Sequence, residues 1–241
     1  MEKMLFSRMP SEIQALIVEV EETIGSEIGF QKRDEALAQR LSVGGLAMIE
    51  TGLRRGDPYA VIHLPASGDF SDHSLAHEVL HAHRNMVGRV WRLTDGAGRL
   101  SAVPSAIEND LEHMQILPVE MALFSEARAY WSKDFDRLLD WANLRNTVAE
   151  GLSRATLLRW KALVEMTFPD HPKLSILDAV IDQEGLGRDA NKLMEKLIRV
   201  GKNKRAAATA VVQFSQLDPS MFALERYVPK EGRVERTSLP S

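Results

Sequence analysis

Residues 71–86, SDHSLAHEVLHAHRNM, carry the pattern H-E-x-x-H from position 77 to position 81. The stretch contains neither Gly nor Pro, and its apolar residues recur every three or four positions, so it predicts an amphipathic helix. Asp69 and Ser71 each offer an N-cap for this helix, and Gly88 offers a stop. Because residues four apart share one helix face, we expect His77 and His81 to present their imidazoles side by side.

This spacing predicts a metal site, and Zn²⁺ is the expected cofactor. Two imidazoles one helical turn apart can bind one zinc ion, and Glu78 between them can reach a water on that ion. A catalytic zinc site usually has a third protein ligand. The extended pattern H-E-x-x-H-x-x-G-x-x-H would need Gly at position 84 and His at position 87, but Arg84 and Val87 stand there. The third ligand must therefore come from elsewhere.

The next acidic stretch is the natural source of that ligand. A helix that opens at Pro104 and stops before Pro118 would hold Glu108 and Glu112 one turn apart, on nearly the same face. We favour Glu108 as the metal ligand and Glu112 as the carboxylate that hydrogen-bonds a ligand histidine. The reverse assignment also fits, because spacing does not separate adjacent turns. Two glutamates near a helix start also suit the helix dipole without any metal.

Hydrolysis at such a site also needs a group that stabilises the developing oxyanion. His113 is the preferred catalytic candidate because it directly follows the acidic pair. It lies about 100° around the helix from Glu112, so an ordinary exposed histidine is the alternative. Three further candidates are Tyr130, His83 and Arg84.

Along the chain, the pattern predicts an α+β protein. A β-rich run at residues 59–64 precedes the motif helix, and mainly helical segments follow Pro118. We therefore expect a small sheet with the motif helix in residues 1–131 and a helical region in residues 132–228, which could belong to the same domain. Residues 229–241 are charged and lack periodicity, which predicts a disordered tail.

Composition narrows the class of protein. The 241 residues include no cysteine, and the formal net charge is −4. No apolar run approaches the ~20 residues of a membrane span, so we expect a cytoplasmic protein without a membrane partner. The net charge gives no reason to expect nucleic acid. The basic run at 199–205 could contact nucleic acid or an acidic protein, but a solvated helix end is the preferred interpretation.

The motif helix, the strand before it and the downstream glutamate together resemble the gluzincin branch of the zincin metallopeptidases. Within that branch the spacing is similar to that of ImmA/IrrE-like metallopeptidases. The resemblance covers roughly residues 45–120 and implies a zincin-like core, in which the strand at 59–64 would form the cleft edge and bind extended substrate. The alanine- and phenylalanine-rich run that usually follows the third ligand in the ImmA/IrrE group is absent here.

The expected function is a zinc-dependent metallopeptidase, with a peptide or protein as substrate. Glu78 would act as general base on a water held by zinc. The alternative is a regulatory or interaction protein of zincin fold that cleaves nothing and binds a protein partner through its helical half.

Overall fold

The computed structural model describes residues 6–33, 47–65, 67, 70–99, 101–147 and 153–240. Within them the fold is α+β, as the sequence predicted. The chain divides into two compact units, the first containing the residues up to Val90 with Arg226–Glu235, the second Trp91–Glu225 and the residues from Arg236 on. The boundary expected between residues 131 and 132 lies inside one continuous helix, Ser125–Thr147. No Gly or Pro interrupts that helix.

The first unit contains a three-stranded sheet and two helices. Its elements are α1 (Ser11–Ile24), β1 (Gly29–Lys32), β2 (Met48–Arg54), β3 (Asp57–Leu64) and α2 (Asp72–Met86). The strand order is β1-β3-β2, with β1 parallel and β2 antiparallel to β3. Arg55 and Gly56 join β2 to β3, and their φ angles are 59° and 94°. Positive φ at both positions is what a two-residue hairpin turn of type I′ requires.

β3 is the central strand of this sheet, so the expectation of a cleft edge at residues 59–64 was wrong. Val61 pairs with Gly29 of β1 on one side and with Glu50 of β2 on the other. Its neighbour Ile62 is fully buried. Strand β3 is therefore hydrogen-bonded to a neighbouring strand on each side.

One face of β2 and β3 carries a polar cluster. The Tyr59 hydroxyl donates to Glu50 Oε1 at 2.6 Å, and His63 Nε2 lies 3.0 Å from Glu50 Oε2. The bond to the Glu50 carboxylate raises the pKa of Tyr59 to about 12. Tyr59 is therefore a hydrogen-bond donor at neutral pH, and it ties β3 to β2.

The second unit is mainly helical. It contains β4 (Arg92–Asp95), α3 (Ala102–Leu123), α4 (Ser125–Thr147), α5 (Arg154–Thr167), α6 (Leu174–Gln183), α7 (Gly187–Val200) and α8 (Lys204–Phe214). The chain ends with β5 (Phe222–Val228) and β6 (Arg233–Ser238), and the second sheet has the order β4-β5-β6. Among the described residues, none of the helices has both the length and the apolar composition that crossing a membrane requires.

The helix holding Glu108 continues through Pro118 to Leu123, where the sequence predicted a stop before the proline. Proline removes one backbone donor and strains the preceding turn. Packing compensates, because Leu117 and Glu120 on either side of it are fully buried. The Glu120 carboxylate also accepts a hydrogen bond from Trp131 Nε1 at 3.0 Å, which ties this turn to α4.

The segment predicted to be a disordered tail contains strand β6 instead. Its charged side chains find partners on β5: Glu235 pairs with Arg226 at 2.6 Å, and Arg236 lies 3.3 Å from Glu225. The charges that predicted a disordered tail therefore align two neighbouring strands of the sheet.

Candidate metal centre

Helix α2 forms where its periodicity predicted it. Ser71 caps its first turn by accepting from Ser74 N at 3.2 Å, and Met86 is its last residue. The apolar stripe is fully buried, at Leu75, Val79, Ala82 and Met86. This burial fixes the rotation of the helix about its axis and hence the direction of its histidines.

His77 and His81 converge as the H-E-x-x-H spacing predicts. Their Nε2 atoms lie 3.1 Å apart, and their ring centroids are 4.8 Å apart. Two nitrogens that bind the same tetrahedral zinc ion at about 2.0–2.1 Å would lie ~3.3 Å from each other. The pair therefore has nearly the nitrogen separation that one zinc ion requires, and its donor atoms are of the type that zinc prefers.

Glu78, which lies between His77 and His81 in the sequence, is buried, and its side chain is hydrogen-bonded to β2. Its Oε2 accepts a hydrogen bond from Ile49 N at 2.7 Å, and one turn earlier Ser74 Oγ accepts from Ala47 N at 3.1 Å. The backbone donors of Ala47, just before β2, and of Ile49 in β2 thus contact two side chains that lie one turn apart on α2. This contact fixes the direction of the Glu78 carboxylate, as a positioned base would need.

Glu108 and Glu112 share a face of α3, as predicted, and both lie buried against a lysine of α8. Lys204 Nζ lies 2.9 Å from Glu108 Oε1 and 2.5 Å from Glu112 Oε1. Leu93 N donates to Glu108 Oε2 at 2.8 Å. The ammonium group of Lys204 therefore supplies the cation that these two carboxylates hold in this structure. Their role as metal ligand and supporting carboxylate stays a prediction.

Sequence reasoning missed this lysine. The basic run at 199–205 includes Lys204 and predicts a solvated helix end, but Lys204 is only 6% exposed. Lysine is rarely buried without a paired charge. A local sequence pattern cannot predict the pairing of Lys204 with Glu108, because the two residues are 96 positions apart.

Replacing Lys204 by methionine should destabilise the protein by about 3 kcal/mol, because removal of one partner leaves buried carboxylates without a counter-charge. Chemical denaturation of the variant against the wild type measures this loss. Lys202→Met removes an exposed lysine two residues earlier and should change the free energy of unfolding by no more than ~0.5 kcal/mol. Equal stability of the Lys204→Met protein and the wild type would show that the buried pairs contribute nothing.

His113 lies on α3 in the second unit, whereas His77 and His81 lie on α2 in the first unit. On α3, Asn109 Nδ2 contacts His113 Nδ1 at 3.3 Å, and the ring packs against Trp131. The sequence named His113 as an oxyanion-binding candidate, and that role stays a prediction.

Asp110, between the two glutamates, faces a different partner. Its Oδ2 accepts from Arg159 Nη1 of α5 at 2.5 Å. Burial raises the pKa of the Asp110 carboxyl to about 6, although the Arg159 guanidinium opposes this shift. Asp110 therefore joins α3 to α5 as part of an ion pair.

The remaining oxyanion candidates have other partners. His83 Nε2 lies 2.8 Å from Glu19 Oε2 on α1. Tyr130 packs its ring against Trp131 on α4, and burial raises the pKa of its hydroxyl. The phenol of Tyr130 therefore remains protonated at neutral pH and able to donate.

Comparison of the chain with protein-family models, with curated proteins and with solved structures gave no match.

Proposed function

We propose that this protein is a zinc-dependent metallopeptidase with a zincin-like core. The observation that supports the proposal most is the 3.1 Å approach of His77 Nε2 to His81 Nε2 on either side of a buried glutamate. Two ligand imidazoles and a positioned carboxylate are the parts that metal-assisted peptide hydrolysis takes from an H-E-x-x-H helix. A peptide or a protein is the proposed substrate.

The residues of α2 divide the chemistry between them. His77 and His81 would hold zinc, which when bound would supply a Lewis acid and make water a stronger acid. Glu78 accepts a proton from the attacking water and passes it to the leaving amine. Its hydrogen bond from Ile49 N keeps the carboxylate in one orientation through both transfers. Tyr130 and His113 are the donor groups proposed for the substrate oxyanion, and the variants below test whether His113 binds the metal instead.

Cleavage of a mixed peptide library with and without zinc tests the function. Protein stripped with a chelator should cleave no peptide, and one equivalent of zinc should restore cleavage. Zinc binding without restored cleavage would contradict the peptidase, while cleavage by the stripped protein would contradict the role of the metal.

The third zinc ligand is tested by three variants. We expect His113→Ala to lower zinc affinity more than Glu108→Ala does, because Glu108 already has Lys204 and Leu93 N as partners. Glu112→Ala should resemble Glu108→Ala, since it shares Lys204. Zinc titration with a competing chelator measures the ranking. The reverse ranking would restore a glutamate as the ligand and with it the gluzincin assignment.

A second function remains open because a lysine holds both candidate glutamate ligands. A zincin-like protein whose carboxylates pair internally could bind zinc for stability and act on a protein partner without cleavage. One bound zinc, no cleavage of any library peptide and a stable complex with a partner protein would favour this regulatory function over the peptidase.

A further inference from the structure

The exposed face of α7 carries a stripe of basic side chains. Arg188, Lys192, Lys196 and Arg199 are all exposed. At 100° per residue they fall within an arc of about 80°, along ~16 Å of helix. The opposite face is buried in the second unit through Ala190, Leu193, Met194 and Leu197. This basic stripe is therefore fixed in orientation by the packing of its own helix.

The stripe continues past the end of α7. The connection to α8 is only three residues long, 201–203, and includes exposed Lys202, while exposed Arg205 lies in the first turn of α8. No ion pair is recorded for any of these six cations within the described part of the chain. One carboxylate, Glu195, lies on the same face and offsets a single charge.

Two of these cations lie where helix electrostatics disfavour them. Arg188 and Arg205 are in the first turns of α7 and α8, and a cation near the positive end of a helix dipole costs about 0.3–1 kcal/mol. An anion bound beside them would reverse that penalty, since helix amino ends and cations both attract phosphate. The arrangement thus fits an external polyanion better than it fits stability alone.

We propose that the basic stripe of α7, with Lys202 and Arg205, binds the phosphate backbone of duplex DNA. A short connection between two helices is also the layout of helix-turn-helix DNA-binding motifs, in which the first helix crosses the backbone. Beyond Arg205, α8 exposes Gln213 two turns further along.

Two other anionic partners fit less well. An anionic membrane would need an apolar face to insert, but on α7 Ile198 is the one large apolar side chain recorded as exposed among the described residues, at 67%. An acidic protein surface would need aromatic or apolar anchors for a stable interface, and the stripe contains no aromatic residue. The net charge of −4 is a sum over the whole chain, so it does not exclude nucleic-acid binding by a local basic surface.

Fluorescence anisotropy with a labelled mixed-sequence duplex of about 30 base pairs tests the proposal. The wild type should bind at 50 mM salt and lose about 10³-fold in affinity at 200 mM, as expected for six phosphate contacts. The variant Lys192→Gln, Lys196→Gln, Arg199→Gln should lower the slope of log affinity against log salt by about three. Because the three side chains are exposed, its melting temperature should stay that of the wild type.

A matched control removes three exposed lysines elsewhere, with Lys32→Gln, Lys133→Gln and Lys230→Gln. This control should keep the wild-type affinity and salt slope. Equal losses in the two triple variants would overturn the proposal, because net charge alone would then explain binding. So would an absence of wild-type binding at 50 mM salt, or binding to polyglutamate as tight as to DNA, which would indicate an acidic protein partner.

Discussion

Replacing His77 by alanine should lower zinc affinity by more than ~100-fold. Loss of a group that merely supports a ligand costs about 10–100-fold, and His77 is proposed as a ligand itself. Its Nε2 lies 3.1 Å from that of His81, so one imidazole would remain where two converge. Zinc titration against a competing chelator measures the change.

The matched control is His83→Ala on the same helix. His83 pairs with Glu19 at 2.8 Å on α1, and a partly exposed pair of this kind contributes little to stability. The control should therefore bind zinc as the wild type does. Equal zinc affinity of the His77→Ala protein and the wild type would mean that the 3.1 Å approach is only a hydrogen bond between imidazoles.

Replacing Glu78 by glutamine should reduce peptide hydrolysis by about 10²–10⁴-fold while zinc content stays unchanged, because loss of a positioned general base has that magnitude. Glutamine keeps an oxygen that can accept from Ile49 N, so the contact to β2 survives. Turnover and metal content measured on one preparation separate the two effects.

Glu22→Gln is the control for this substitution, because Glu22 is exposed on α1 and should leave both measurements unchanged. A Glu78→Gln protein that cleaves peptide at the wild-type rate would remove the general base from the mechanism. Loss of zinc together with activity would instead assign Glu78 to metal binding.

Local patterns predicted the local parts of the structure. Helix α2 was predictable because its cap, its buried stripe and its histidines all follow one period in a single stretch of chain. The 3.1 Å approach of the imidazoles follows from the same period. The α+β class followed in the same way, from the β-rich run before α2 and the helical periods after Pro118.

The wrong predictions concern features of the structure that depend on contacts between residues far apart in the sequence. Pro118 lies within α3 because burial on both sides outweighs its lost donor. β3 is central because its parallel partner β1 comes from residues 29–32, far earlier in the chain. Lys204 pairs with Glu108 across 96 residues. Each of these contacts is tertiary, and a period or spacing within one segment carries no information about it.

X-ray diffraction at the zinc absorption edge, on crystals grown with one equivalent of zinc, tests the central claim most directly. The account predicts one anomalous peak about 2.0–2.1 Å from both His77 Nε2 and His81 Nε2. No peak at this pair, or a peak at residues elsewhere in the chain, would contradict it.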